Sequence, residues 1–219
     1  GGNPTKSVLV TEVKKAVKKI TRPSVPRIGL TLDILRSLSG NVDFSSAVAV
    51  RDFFIVLLMT VAMMRGKEAV SLKADDVELK TLDGVEFLMI RIEMSKTDQL
   101  RIGDTVLLAA GPDVAICPVA WFKVYTALFR KKGAPYFFHA ATHFKGPPSS
   151  VPGLSASTTN KVVQSLLREV GVDPAGYGSH SCRRGGATAA VAAGVDIFLV
   201  KRHGRWKSDA VYSYVDDSV

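Results

Sequence analysis

The chain has 219 residues, room for one large domain or two small ones, and 47% of them are hydrophobic, enough for a sizeable buried core. Lys and Arg total 29 against 20 Asp and Glu, a net charge of +9 that suits a polyanionic partner, because each phosphate neutralised releases counterions. Two cysteines without metal or redox spacing, no secretory signal, and a longest apolar run (residues 53–64) well short of the ~20 residues of a membrane span argue for a reduced, intracellular protein.

The positive charge is uneven: residues 1–27 hold seven Lys or Arg against one Glu, and residues 161–207 hold eight against three acids. In the first block Lys14, Lys15, Lys18 and Lys19 lie at helical spacing among Val10, Val13, Val17 and Ile20, with Pro4, Pro23 and Pro26 around them. Residues 1–30 therefore read as a basic arm and linker. With Gly1-Gly2-Asn3 in place of an initiator Met, they read as the end of a missing upstream domain. Residues 31–219 form the main domain.

Thr31 predicts the N-cap of a helix to about Leu38, broken by Gly40-Asn41. Ser45 or Ser46 starts a long helix to about Met63, apolar almost all round and so central to the core. It delivers Arg65, which Glu68 can reach across one turn. By itself such an Arg is an ordinary helix-end cation. Residues 77–80 and 85–93 read as a hairpin about Asp83-Gly84, residues 95–98 as a polar turn carrying Lys96, and residues 106–108 as a third strand.

Pro118 opens a helix to about Arg130 with Trp121, Val124, Tyr125 and Leu128 as its buried stripe. Phe137-Phe138-His139 reads as a short core segment and residues 140–156 as a long loop. Thr158 or Thr159 caps a helix to Val170. The stretch from His180 to Tyr214 gathers two His, six Lys or Arg, a Trp and two Tyr. Within it, residues 183–194 are Ala-rich and helical, with Gly185-Gly186 permitting close packing. A second helix runs from Val195 to His203, Gly204-Arg205-Trp206 breaks it, and Ser208 or Asp209 caps a last short helix bearing Tyr212 and Tyr214. The expected fold is mainly α with a small antiparallel sheet at one edge.

His180 and Arg183 share a face at a helix start, where backbone N–H groups favour an anion. Two guanidinium groups can clamp one phosphate bidentately. A phosphodiester attacked at phosphorus gains charge on its non-bridging oxygens, which fixed cations stabilise. Tyrosine can be the nucleophile and Lys or His can handle the protons.

These residues resemble the tyrosine recombinase (phage integrase) family. The likeness is carried by residues 62–68 around Arg65, Ser95-Lys96-Thr97, His180-Ser181-Cys182-Arg183-Arg184-Gly185-Gly186-Ala187-Thr188, and Gly204-Arg205-Trp206 with Tyr214, in the family's order over residues 30–215. The phrase Gly204-Arg205-Trp206-Lys207-Ser208-Asp209-Ala210 is most similar to eukaryotic Crypton and DIRS-type mobile-element recombinases. The resemblance implies that Arg65 and Arg183 grip the scissile phosphate, with Glu68 supporting Arg65. Lys96 would protonate the leaving 5′ oxygen, and His180 would orient the phosphate and assist proton transfer. Trp206 stands where many members have His, and its indole N–H would bond a phosphate oxygen. Tyr214 would attack. It follows Trp206 by eight residues where many members have nine, so Tyr212 stays open as an alternative.

No metal or other cofactor is implied. Arg184, Lys201, Arg202, Arg205 and Lys207 are expected to meet the DNA backbone. Duplex DNA and further copies of the chain, assembled on DNA as a dimer or tetramer, are the expected partners, and no membrane is. A type IB topoisomerase-like enzyme and a non-catalytic DNA-binding module descended from a recombinase are the rival readings.

Overall fold

Helix α1 (Leu32–Gly40) begins where Thr31 Oγ1 accepts the Ile34 N–H at 3.2 Å. It belongs to a computed structural model that describes residues 10, 12–13, 27–93, 103–129, 132–140 and 147–214. The lysines of the basic arm, the Lys96 turn and the first part of the 140–156 loop lie outside the described residues. The segment entering α1 is already core: Leu30 is buried and its N–H donates to Ser181 O at 2.9 Å.

Helix α2 (Ala47–Val61), capped by Ser46, is the axis of the domain. Residues 53–59 are all fully buried, as an all-round apolar sequence requires. Around it pack α4 (Pro118–Leu128), α5 (Ala156–Glu169) and α6 (Ser179–Ala192). Short α3 (Gly66–Ser71) follows α2 directly. Phe53, Phe54, Tyr125, Phe137 and Phe138 fill the α2–α4 side, and the Tyr125 hydroxyl donates to Phe137 O at 3.0 Å.

At one edge lies a three-stranded antiparallel sheet in the order β1 (Val77–Leu82), β2 (Val85–Ile92), β3 (Asp104–Ala109). Asp83 and Gly84 both have positive φ, 50° and 78°, the two-residue turn whose twist matches a hairpin. Leu88, Ile90, Ile92, Val106 and Leu108 point inward to the core. The chain closes with α7 (Ile197–His203), capped by Asp196, and a 3₁₀ turn, Asp209–Ser213, capped by Ser208.

Two expectations change. The stripe of α4 is Trp121, Phe122 and Tyr125, while Leu128 is 58% exposed because the helix leaves the core at its last turn. Helix α5 starts four residues earlier than its Thr residues suggested. Ser155 occupies the cap position, bonded to Ser157 and Thr158 hydroxyls, and Thr159 is buried inside the helix, donating to Ala156 O. In a run of hydroxyl residues each looks like a cap, and only packing chooses among them.

Candidate active site

The site is built on the turn between α2 and α3. Helix α2 stops at Ala62, and Met63 takes a left-handed φ of 47°, which turns its carbonyl inward and swings Arg65 to the head of α3. Arg65 is the N-cap, and Glu68, at the third helical position, reaches back to it. Glu68 Oε2 accepts the Arg65 backbone N–H at 2.9 Å and Oε1 accepts the Arg65 guanidinium at 2.7 Å. The expected support of Arg65 by Glu68 is thus a two-point bond to a buried carboxylate.

Helix α6 brings His180 and Arg183 to the same place. Its close approach depends on two glycines. A Cβ on Gly185 would stand 1.9 Å from Leu30 O, and one on Gly186 would stand 2.1 Å from Thr60 O. Arg183 is 1% exposed, and its terminal nitrogens donate to Met63 O and Gly204 O. Its guanidinium carbon lies 3.8 Å from the ring centroid of Trp206, while its Nε–H is buried without a partner among the described residues.

The turn after α7 supplies the third wall. Gly204 gives Trp206 room, since a Cβ there would meet the indole at 1.7 Å. Trp206 packs edge-on to Tyr214 at 5.2 Å, and its indole N–H has no partner among the described residues. The Tyr214 hydroxyl lies 3.5 Å from His180 Nδ1, the long end of a hydrogen bond. The backbone around it is tethered to α6, because Arg184 donates to Ser213 O at 2.6 Å and Thr188 Oγ1 to Tyr214 O at 3.3 Å. Tyr212 points away and is 60% exposed. Arg65, Glu68, His180, Arg183, Trp206 and Tyr214 are therefore brought together. Lys96 lies outside the described residues.

The expected DNA-backbone cations separate. Arg202 and Lys207 are exposed, and Lys201 pairs with Asp209 at 2.8 Å. Arg184 is half-buried against the tyrosine segment. Arg205 is a correction. It is 7% exposed and its side chain points inward, to Glu68 Oε2 at 3.0 Å and to the carbonyls of Ala62, Met63 and His203. A cation so enclosed cannot lie along a DNA backbone. His203 closes α7, its Nε2–H donating to Val61 O at 2.9 Å, and burial holds its pKa below the usual histidine value, which keeps it neutral.

The guanidinium groups of Arg65 and Arg205 thus pair with one carboxylate, and that of Arg183 lies beside them, sharing the Met63 carbonyl with Arg205. Burial is the main force that pulls Arg183 down to about 9, and the neighbouring Arg65 and Arg205 add to it. Arg183 is still charged at neutral pH, in a place where charge is costly, so an anion arriving there is favoured.

Glu68 shows the opposite balance. Burial alone would raise its pKa. Arg205, the Arg65 N–H and the Arg65 guanidinium together outweigh that and hold it below its ordinary 4.5. A lowered carboxylate pKa stabilises the fold fully above about pH 4.5 and loses that contribution as pH falls through the folded value. Thermal unfolding of Glu68→Gln and of the unsubstituted protein is expected to differ most near neutral pH. The gap should close below pH 4.5. A gap independent of pH would mean that the Glu68 charge does not contribute.

Sequence reasoning placed Arg205 along the DNA backbone rather than inside this site, and gave no role to Thr188 or the Met63 carbonyl. No local signal in the sequence sets Arg205 apart from its exposed neighbours; its φ of 60° shows only in the structure.

No family model matches the chain. Over 219 residues it is 26% identical to an integrase/recombinase XerD homolog of Selenomonas ruminantium, a match that covers 98% of this chain and 61% of that protein. Among solved structures, the XerH site-specific recombinase bound to a palindromic difH substrate superposes with TM-score 0.61 at 19% identity, covering 89% of this chain and 51% of the other. A lambda integrase dimer bound to a COC′ core site gives TM-score 0.62 at 16% identity, covering 93% and 52%. The chain therefore spans about three fifths of that curated relative and about half of each solved protein. Over the part it covers, the chain shares the fold of these solved proteins. It thus has the fold of these tyrosine recombinases and is similar over nearly its whole length to an integrase/recombinase.

Proposed function

We propose that the protein cleaves and rejoins DNA strands through a tyrosine ester, in site-specific recombination or the integration of a mobile element. The observation that carries this reading is a cluster of three guanidinium groups, two of them paired with a single buried carboxylate and the third stacked on Trp206, with a tyrosine hydroxyl and an unpaired indole N–H at its rim. The excess positive charge calls for an anion, and the tyrosine beside it gives that anion a nucleophile. The named relatives, a XerD homolog, XerH and lambda integrase, support the same reading.

In this mechanism Arg65 and Arg183 hold the non-bridging oxygens of the scissile phosphate, and Arg183 uses the N–H groups not given to Met63 and Gly204. The Trp206 N–H bonds one of those oxygens. His180 takes the proton of the Tyr214 hydroxyl. The Tyr214 oxygen forms a bond to phosphorus, the P–O5′ bond breaks, and Lys96 protonates the departing 5′ oxygen. A 5′ hydroxyl from a second strand reverses the step. The ester keeps the bond energy, so no nucleotide is consumed.

Duplex DNA and further copies of the chain are the partners, with Arg184, Lys201, Arg202 and Lys207 as backbone contacts. Placement among the Crypton and DIRS-type enzymes rests on the phrase Gly204–Ala210 alone; it would put the work in the nucleus of a eukaryotic cell.

The test is incubation with a nicked suicide duplex carrying the element's end sequence, followed by a denaturing gel. A covalent protein–DNA adduct, unaffected by chelator, is expected. Absence of adduct with the full-length chain would overturn the enzyme reading in favour of a DNA-binding module. Relaxation of supercoiled DNA without strand exchange would favour the topoisomerase-like rival.

A further inference from the structure

We infer that Arg205 is a positioning residue for the phosphate-gripping Arg65, acting through the carboxylate they share, Glu68; the inference rests on the reading given under Proposed function. Arg205 itself does not meet the phosphate. It decides how much of Arg65 is left to do so.

Four observations support this. The Arg205 side chain is 4% exposed and that of Glu68 is 2%, so the pair is sealed from solvent, whereas the Arg65 side chain is 22% exposed and open toward the site. Arg205 has φ 60°, a backbone region where glycine is at ease and a residue with a Cβ is not, so its contacts hold it there. Those contacts join two turns. The carbonyls of Ala62 and Met63 belong to the turn that delivers Arg65, and that of His203 to the turn that delivers Trp206. The fourth is the division of Glu68. Oε1 takes the Arg65 guanidinium, while Oε2 takes the Arg65 backbone N–H and Arg205.

That division has a chemical consequence. A buried carboxylate must be neutralised and fully hydrogen-bonded. With Arg205 on Oε2, Arg65 needs to give only one side of its fork, and the rest can face an incoming anion. Without Arg205, the carboxylate draws the Arg65 guanidinium into a two-pronged pair. Its N–H groups and its charge then turn inward, away from the position of the phosphate. DNA would still bind through the surface cations, but transition-state charge would be stabilised less.

The experiment compares the full chain with Arg205→Gly, which fits the left-handed backbone, and Arg205→Lys, which restores the charge on Glu68 but not the fork to the carbonyls. Each is made with and without Glu68→Gln. Thermal unfolding, duplex affinity and the single-turnover rate of adduct formation are measured. Arg205→Gly is expected to slow adduct formation on the order of ten- to a hundredfold. Duplex affinity should change by less than about threefold, as befits a residue that touches no DNA. Arg205→Lys should recover part of the rate, and in the Glu68→Gln background Arg205→Gly should cost little more.

A rate within about twofold of the parent overturns the proposal. So does an equal loss with and without Glu68, which would be a purely structural effect, and so does a parallel fall in affinity and rate, which would be a DNA contact. If Arg205→Gly fails to fold, Arg205→Lys decides alone: full parental rate overturns the proposal, and a reduced rate at parental affinity supports it. No adduct from the parent chain overturns the reading beneath it and the proposal with it, an outcome distinct from adduct in the parent that Arg205 variants do not alter.

Discussion

Tyr214→Phe is expected to abolish covalent capture of a suicide duplex, a loss of at least about four orders of magnitude, because no neighbouring group can replace a missing nucleophile. Duplex binding should survive, since Tyr214 is held by its own ring and backbone rather than by DNA. The contrast is Tyr212→Phe. Tyr212 is 60% exposed and has no hydrogen-bond partner among the described residues, so its adduct rate should stay within about twofold of the parent. Tyr212 lies in the 3₁₀ turn and Tyr214 caps its end two residues on, and only geometry separates them. Ser213 O and Tyr214 O are pinned to α6 by Arg184 and Thr188, which turns the Tyr214 ring toward Trp206 and His180. Adduct that persists in Tyr214→Phe and vanishes in Tyr212→Phe would move the nucleophile and require the segment to refold on DNA.

Gly185→Ala is expected to destabilise the fold by about 3 kcal/mol or more, the upper range for adding a methyl where nothing can yield. Its Cβ would stand 1.9 Å from the Leu30 carbonyl oxygen, and a backbone carbonyl cannot swing away as a side chain can. The remaining course is for α6 to back off, which carries His180 and Arg183 away from Arg65. Gly40→Ala is the control. Nothing lies within 4 Å of its Cβ position, so denaturant unfolding should show little change or a gain of up to about 1 kcal/mol from a stiffer unfolded chain. Equal midpoints for Gly185→Ala and the parent would mean that α6 has freedom these contacts do not suggest.

Much of the fold was legible because its signals are local. Thr31 and Asp83-Gly84 each act on residues within one turn, so chemistry and position coincide. The long apolar run of α2 could only be a central helix. The signals failed where several residues offered the same local chemistry, as the hydroxyls before α5 did, or where the end of an element decided exposure, as at Leu128. The site divides the same way. Arg65 with Glu68, and His180 with Arg183, sit three residues apart and could be paired from spacing. Arg205 could not, because its partner Glu68 is 137 residues away and a buried arginine looks like a surface one in sequence. Its neighbours Arg202 and Lys207 carry the same charge and are exposed.

The Met63 carbonyl accepts from both Arg183 and Arg205, which come from opposite ends of the α6–α7 unit, while Met63 belongs to the turn after α2. One backbone oxygen thus closes the connection between segments more than a hundred residues apart in the chain. A copy in which either segment has not docked lacks the pairing of both arginines at once. Under the proposed function, an incompletely folded or locally opened molecule would therefore be harmless to DNA: its charge could still attract it, but it would have no organised centre with which to nick a strand. In a denaturant series, adduct formation and the signal of Trp206 packed on Arg183 are expected to disappear together, leaving no range in which a loosened protein still cuts.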